Sequence, residues 1–90
     1  MLRPVPSNQK TQPCNAQLLF AANLKRVRTA NSLTKERVAE YAGLHVNYIS
    51  SVERGERNIS ICNIERIAMA LDVSMGELLS AHTPGDQKDA

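Results

Sequence analysis

The stretch Thr34–Gly55, TKERVAEYAGLHVNYISSVERG, decides the fold of this chain. It predicts two short helices, over about residues 35–42 and about residues 46–54. Gly43 separates them, because glycine tolerates the positive φ that a helix exit usually requires. Gly55 is expected to end the second helix for the same reason. The stretch therefore predicts a pair of helices joined by a tight, glycine-containing turn.

The apolar residues of this stretch repeat at helical spacing on both predicted helices. They are Val38, Ala39, Ala42, Ile49 and Val52. Ala39 is small, so the second helix can approach the first closely. Two such helices joined in this way have the outline of a helix-turn-helix motif. A hairpin from an ordinary small helical bundle has the same spacing, and it is the alternative left open at this point.

Length and composition indicate one small helical domain. The chain has 90 residues and is 42% hydrophobic, but only 3% aromatic, so its core is expected to consist of aliphatic side chains on packed helices. No apolar run approaches the roughly 18 residues that span a bilayer, and no apolar stretch follows Arg3 as in a secretory signal. We therefore expect a cytoplasmic protein without a membrane partner. Cys14 and Cys62 are expected to be reduced thiols, in preference to a disulfide.

Basic side chains concentrate around the predicted helix pair. Residues 1–66 contain ten of the eleven Lys and Arg residues, but five of the nine Asp and Glu residues. This asymmetry fits a surface that meets phosphate groups, although a randomly mixed solvated surface gives the same count. The sequence has no glycine-rich phosphate loop, no metal-ligand cluster and no nucleophile with a neighbouring base. We therefore expect no enzyme activity, no metal and no cofactor.

An arm and a first helix are expected before the central pair. Residues 1–14 contain three prolines and no helical period, which predicts a flexible arm. Contact of Arg3 and Lys10 with DNA is the alternative to an arm without a role. The first helix is expected to have Asn15 as its N-cap and to break within residues 29–32.

Two further helices and a tail are expected after the pair. Ser60 is expected to cap a fourth helix. Its apolar face is expected to consist of Ile61, Ile64, Ile67, Ala68 and Leu71. The run Ser74–Glu77 has the pattern of a capping box that starts a short fifth helix. This helix carries more apolar surface than it can bury alone, namely Met75, Leu78 and Leu79, so part of it is expected to meet a partner chain. Residues 15–81 thus form the predicted domain, and residues 82–90 a disordered tail.

Three motifs, in this order, resemble the Cro/repressor-type helix-turn-helix family, often named after the xenobiotic-response regulator of bacilli. The motifs are LKRVRTANSLTKERVAEYAGL from Leu24, NYISSVERGERNIS from Asn47 and IERIAMALDVSMGELL from Ile64. Within the family, the run ERGERNIS is most similar to small restriction–modification controller proteins, and many phage and plasmid repressors share it. The resemblance implies an all-α, lambda-repressor-like domain of five compact helices, with the motif formed by helices 2 and 3.

The resemblance also implies a function. It implies a homodimer that binds double-stranded DNA sequence-specifically, at a two-fold symmetric operator, and regulates transcription as repressor or activator at the nucleoid. The last helix, with Met75, Leu78 and Leu79, is expected to form the dimer interface. RNA polymerase is a further expected partner, with Glu36 and Glu40 as candidate contacts, and no small-molecule ligand is expected. The alternative is a protein-interaction module, such as an antitoxin or adaptor.

The resemblance places base-reading side chains early in the third helix. They fall on Val46, Asn47, Ser50 and Ser51. Asn47 can form paired hydrogen bonds with adenine, and Val46 can pack on a thymine methyl group. Phosphate contacts are expected from Thr34, Lys35, His45, Tyr48, Arg54, Arg57 and Asn58, and such contacts fix register without reading sequence. Tyr48 has two expected roles, because its ring can pack beside Ile49 while its hydroxyl touches a phosphate.

The family's buried ion pair maps onto Arg28 and Glu53. Each charge is costly in a helical core unless it meets the other, and separate surface roles are the alternative. Two positions depart from the family pattern. Lys35 replaces the usual glutamine, and His45 replaces the usual Ser or Thr cap of the third helix, at a cost of about 1 kcal/mol or less. If the His45 imidazole faces a phosphate, binding should depend on pH.

Overall fold

The computed structural model describes residues 12–81, and every regular element in this part of the chain is an α-helix. The elements are α1 (Asn15–Ala30), α2 (Lys35–Ala42), α3 (Val46–Glu53), α4 (Ile61–Leu71) and α5 (Met75–Leu79). The predicted all-α fold of five helices is confirmed. Most of the predicted arm, with Arg3 and Lys10, and the whole predicted tail lie outside the described residues. Between residues 12 and 81, no helix is both long enough and apolar enough to cross a membrane.

Local signals fix the central pair of helices. Thr34 caps α2, because its hydroxyl accepts a hydrogen bond from the Arg37 backbone N–H at 3.0 Å. Gly43 follows α2 with φ of 70°, and Gly55 follows α3 with φ of 76°. Both glycines have the left-handed conformation that the sequence predicted, although α3 ends at Glu53, one residue earlier than expected.

The boundaries of α1 agree with the prediction at the C-terminal end and differ from it at the N-terminal end. Asn15 is the first helical residue, and Cys14 occupies the N-cap position without a side-chain cap bond. The expectation that Asn15 caps the helix is therefore wrong. At the other end, the Thr29 hydroxyl donates to the Lys25 carbonyl oxygen at 2.9 Å and is satisfied within α1. The helix ends at Ala30, within the predicted break over residues 29–32.

The core lies between the helices and consists almost entirely of aliphatic side chains. Its members are Phe20, Leu24, Val27, Val38, Ala39, Ala42, Ile49, Val52, Ile64, Ile67, Ala68, Leu71 and Leu78. The predicted apolar faces of α2 and α3 enter this core. Ile61 does not, since it is 72% exposed and burial along α4 begins only at Ile64. Helix α2 packs on α3 and α4, and α1 packs on α3 and α5, so the central pair is supported from both sides.

A buried asparagine that the sequence reasoning missed attaches α5 to α1. The Asn23 amide nitrogen donates to the carbonyl oxygens of Leu78 and Ser80, each at 2.9 Å. These carbonyls lie at the end of α5, where a helix leaves acceptors without internal partners. The signal available in the sequence was a polar residue between Phe20 and Leu24, on the apolar face of α1.

Candidate nucleic-acid interface

The first two turns of α3 present an edge of small and polar side chains. We call Val46, Asn47 and Ser50 the α3 edge. The Asn47 side chain is exposed, Ser50 is half-buried, and neither side chain forms a hydrogen bond within residues 12–81. Val46 is half-buried and packs against the core, so only part of it faces outward. The α3 edge therefore offers an amide and a hydroxyl group that are available to a ligand.

His45 stands at the start of α3 and serves as its N-cap. Its Nδ1 atom accepts a hydrogen bond from the Asn47 backbone N–H at 3.0 Å. A nitrogen that accepts carries no proton, so the neutral ring has its proton on Nε2. The side chain is exposed, which leaves the Nε2–H group free to donate to an anion. Capping and phosphate contact were alternatives at the level of sequence, and this geometry permits both.

Ser51 is placed differently from its prediction as a base-reading residue. Its side chain is buried, with 5% of the residue exposed. The Ser51 hydroxyl donates to the Tyr48 carbonyl oxygen at 2.8 Å and accepts from Arg57 Nε at 2.9 Å. The structure corrects the prediction, because the loop after α3 folds back over Ser51 and both hydrogen-bonding functions of the hydroxyl are occupied.

Tyr48 combines packing with a polar contact. Its half-buried ring packs against the core, and the Arg57 guanidinium carbon lies 5.5 Å from the ring centroid. The Tyr48 hydroxyl oxygen accepts a hydrogen bond from the Asn63 amide at 3.1 Å. A phenol can also donate its proton, so the predicted phosphate contact remains chemically available.

The loop of residues 54–60, which we call the 54–60 loop, carries two exposed arginines with different partners. Arg54 pairs with Glu56 through two hydrogen bonds, Nε to Oε2 at 3.0 Å and Nη2 to Oε1 at 3.1 Å. The hydrogen bonds from Arg54 lower the pKa of Glu56, and the same bonds raise the pKa of Arg54. Arg57 instead contacts the neutral Ser51 and Tyr48.

The other predicted phosphate contacts occupy two separate places. Thr34 and Lys35 lie at the N-terminus of α2, with Thr34 exposed and Lys35 half-buried. Asn58 lines an apolar depression together with Gln17, Phe20, Ile59, Ile64 and Leu79. Its surroundings are therefore shared with α1, α4 and α5, and no residue of the α3 edge lines the same depression.

A buried ion pair fixes the orientation of α3. Arg28 forms two hydrogen bonds with the Glu53 carboxylate, one of them from Nη2 at 3.1 Å, and its Nη1 atom donates to the Leu33 carbonyl oxygen at 2.8 Å. Only 4% of the Glu53 side chain is exposed. The hydrogen bond to Glu53 raises the pKa of Arg28, so the guanidinium stays charged. These contacts join α1, the turn before α2, and α3.

The predicted dimer residues of α5 separate into one core residue and two surface residues. Leu78 is wholly buried within its own chain, so it cannot form an interface as predicted. Leu79 is 41% exposed, and Met75 is half-buried. The apolar surface that α5 offers a partner therefore consists of Met75 and Leu79.

Comparison with known proteins agrees with this arrangement. A model of the helix-turn-helix family matches residues 24–78. The control protein C.BamHI of Bacillus amyloliquefaciens is 41% identical over 73 residues, which cover 80% of this chain and 90% of that protein. The control protein C.SmaI of Serratia marcescens is 42% identical over 62 residues, which cover 69% and 74% of the two chains.

A solved structure is also similar to this chain. The restriction-modification controller protein C.AhdI from Aeromonas hydrophila matches with a TM-score of 0.67 and 42% identity, covering 69% of this chain and 94% of that chain. The residues matched by the family model include all of α2, α3 and α4 and the 54–60 loop. Because the family match spans more than half of the sequence, this chain belongs to the helix-turn-helix family.

Proposed function

We propose that this chain is a homodimeric, sequence-specific DNA-binding regulator of transcription that controls a restriction–modification system. The proposal depends mainly on the α3 edge. Its polar side chains, Asn47 and Ser50, form no hydrogen bond within residues 12–81, and they lie near the capped start of α3. The names of the relatives, control proteins and a controller protein, support the choice of system. The regulator is proposed to act in the cytoplasm, on the nucleoid.

The geometry suits the usual docking of a helix-turn-helix, in which the second helix enters the major groove and the first crosses the phosphate backbone. In this arrangement the Asn47 amide can donate to and accept from adenine, and the exposed part of Val46 can touch a thymine methyl group. His45 donates from Nε2 to a phosphate oxygen. The N-terminus of α2, with Lys35, offers backbone N–H groups and positive charge to a second phosphate.

The two-fold operator of the proposal requires a dimer, and the exposed apolar surface of α5 is its proposed interface. Leu79 lies at the edge of the apolar depression, next to Ile59 and Phe20. Burial of this depression and of Leu79 by a second copy would remove apolar surface from water, which is the main driving force of association. Dimerisation would then set the spacing of the two α3 edges.

RNA polymerase is the proposed further partner where the regulator activates a promoter. Glu36 and Glu40 lie on the exposed side of α2. Glu40 is paired with Arg37 at 3.4 Å, whereas Glu36 forms no ion pair with any residue between 12 and 81. Glu36 is therefore the more available carboxylate for a basic surface of a partner.

The test is selection from a random duplex DNA pool with wild-type protein and Asn47→Ala. The wild type is expected to enrich a two-fold symmetric site with half-sites about one helical turn apart. Asn47→Ala is expected to relax preference at one base pair of each half-site, at a cost of about 1–3 kcal/mol. Asn15→Ala is the matched control, because it removes an exposed asparagine at the start of α1.

Each result has a defined meaning. Binding without enrichment would reduce the function to electrostatic association with DNA. Absence of binding would favour the protein-interaction alternative, with α5 as the surface to investigate. An unchanged enriched site for Asn47→Ala would show that the reading residues lie elsewhere.

A further inference from the structure

The two arginines of the 54–60 loop, Arg54 and Arg57, have chemically different partners. Arg57 contacts a hydroxyl group and an aromatic ring, both neutral, and its Nη atoms form no hydrogen bond within residues 12–81. Arg54 is held by a carboxylate instead. Arg57 thus forms no ion pair within residues 12–81, although its charge contributes to lowering the pKa of Glu56, whereas Arg54 is directly paired with that carboxylate.

The contact between Arg54 and Glu56 uses the atoms that a phosphate would use. The Nε and Nη2 atoms of Arg54 form the planar fork that binds two oxygens of a carboxylate or phosphate at once. With Glu56 in place, a phosphate can reach this fork only by displacing the carboxylate. More than half of each side chain is exposed, so the displacement requires no opening of the core.

The displacement has different consequences for the two kinds of DNA. A non-specific duplex has no fixed register, so the protein can shift along it until a phosphate meets Arg54, and Glu56 opposes this contact. At the operator, the base contacts of the α3 edge fix the register, so the protein cannot shift to improve the contact of Arg54 and the contact contributes less to affinity. A carboxylate at position 56 would therefore penalise non-specific binding more than operator binding.

We propose that Glu56 is a specificity-determining residue, an anion within the chain that competes with DNA phosphate for Arg54 and so weakens binding to non-specific duplex. The inference rests on the proposed function. It adds to that function a residue that keeps the affinity for non-specific duplex DNA low. In this role Glu56 contacts no base, and it acts through its ion pair with Arg54.

The test compares Glu56→Gln with wild type in the dissociation constants for the selected operator and for a scrambled duplex, across a salt series. Glutamine keeps the size of the side chain and removes its charge. Glu56→Gln is expected to tighten binding to the scrambled duplex by about three- to tenfold and to steepen its salt dependence by about one charge. Operator binding is expected to change less, so the ratio of specific to non-specific affinity falls.

Two controls isolate the contact. Glu65→Gln makes the same change in net charge on the exposed side of α4, away from the 54–60 loop. It is expected to affect both duplexes equally and weakly. In an Arg54→Ala background, adding Glu56→Gln is expected to have no more effect than Glu65→Gln, because the group for which Glu56 competes is absent.

Three results would overturn the proposal. They are equal effects of Glu56→Gln and Glu65→Gln, persistence of the Glu56→Gln effect without Arg54, and weaker operator binding by Glu56→Gln with unchanged non-specific binding. A wild type that prefers its operator but shows any of these results leaves the proposed function intact. A wild type that binds no duplex overturns the proposed function and this inference together.

Discussion

His45 caps α3, and the same side chain is proposed to contact the ligand. Its Nδ1 atom satisfies a backbone N–H at the start of α3, and its Nε2–H group faces outward. A Ser or Thr cap would satisfy the helix equally well or better, but it would place no donor so far from the backbone. Compared with the usual Ser or Thr, His45 is therefore expected to be a slightly weaker helix cap, but its donor can extend further toward a phosphate.

Substitution of His45 by aspartate separates these two roles. His45→Asp is expected to stabilise the fold by up to about 1 kcal/mol, because aspartate is a stronger cap and its charge suits a helix N-terminus. The same change is expected to weaken operator binding, since it removes the outward donor and adds a charge that repels phosphate. Urea unfolding and binding titrations measure the two effects. Unchanged operator affinity would mean that His45 contacts no phosphate.

At the scale of elements, the Arg28–Glu53 ion pair fixes the orientation of α3. The pair joins α1 to the last residue of α3, while the third contact of Arg28 holds the turn before α2. The motif is thus fixed to α1 by polar contacts as well as by the apolar core. A small shift of α3 would move the α3 edge relative to the N-terminus of α2. The ion pair therefore determines which of the proposed base and phosphate contacts can form together.

Removal of Arg28 is expected to destabilise the domain strongly. Arg28→Ala leaves the Glu53 carboxylate buried without its partner, and the expected loss is about 3–5 kcal/mol in the free energy of unfolding. Urea unfolding measures it. The double variant Arg28→Met/Glu53→Leu removes both charges and is expected to recover much of the loss. A single variant that unfolds like the wild type would show that the pair adds little to stability.

Local chemistry explains which features of the elements were predictable from sequence. The caps Thr34 and Ser60 and the exit at Gly43 depend only on residues a few positions away, and all three were predicted. The burial of Ser51 was not, because it depends on a loop that folds back over α3. The role of Asn23 depends on carbonyls 55 and 57 residues further along the chain. Sequence spacing does not show such distant contacts.

At the scale of the whole molecule, the proposed interfaces with DNA and with a second copy occupy different elements. The predicted DNA contacts lie mainly on α2, α3 and the 54–60 loop, while Met75 and Leu79 lie on α5. Helix α1 contacts both α3 and α5, and Asn23 holds the end of α5 against it. A single helix therefore connects the proposed dimer surface to the helix that carries the proposed base-reading residues.

Disruption of the proposed dimer is expected to weaken operator binding without unfolding the chain. Leu79→Asp places a charge on a side chain that is already partly exposed, so the fold is expected to survive. The variant is expected to sediment as a monomer, because the charge cannot be buried in an apolar interface without a partner. Operator affinity is expected to fall because the two half-sites are no longer bound together.

Leu18→Asp provides the matched control, since Leu18 is a comparably exposed leucine on α1. It is expected to leave the oligomeric state unchanged. A dimeric Leu79→Asp variant would place the interface on a different surface.

The independence of Asn47 and Ser50 from the rest of the fold has an evolutionary consequence. Neither side chain bonds to another part of residues 12–81, so replacing them costs the folded state little. Surface changes of this kind usually alter stability by less than about 0.5 kcal/mol. With these two residues reading bases as proposed, a duplicated gene can therefore acquire a new target by substitutions at the two positions while its product still folds. Related regulators in one cell can diverge in this way and act side by side without controlling each other's promoters.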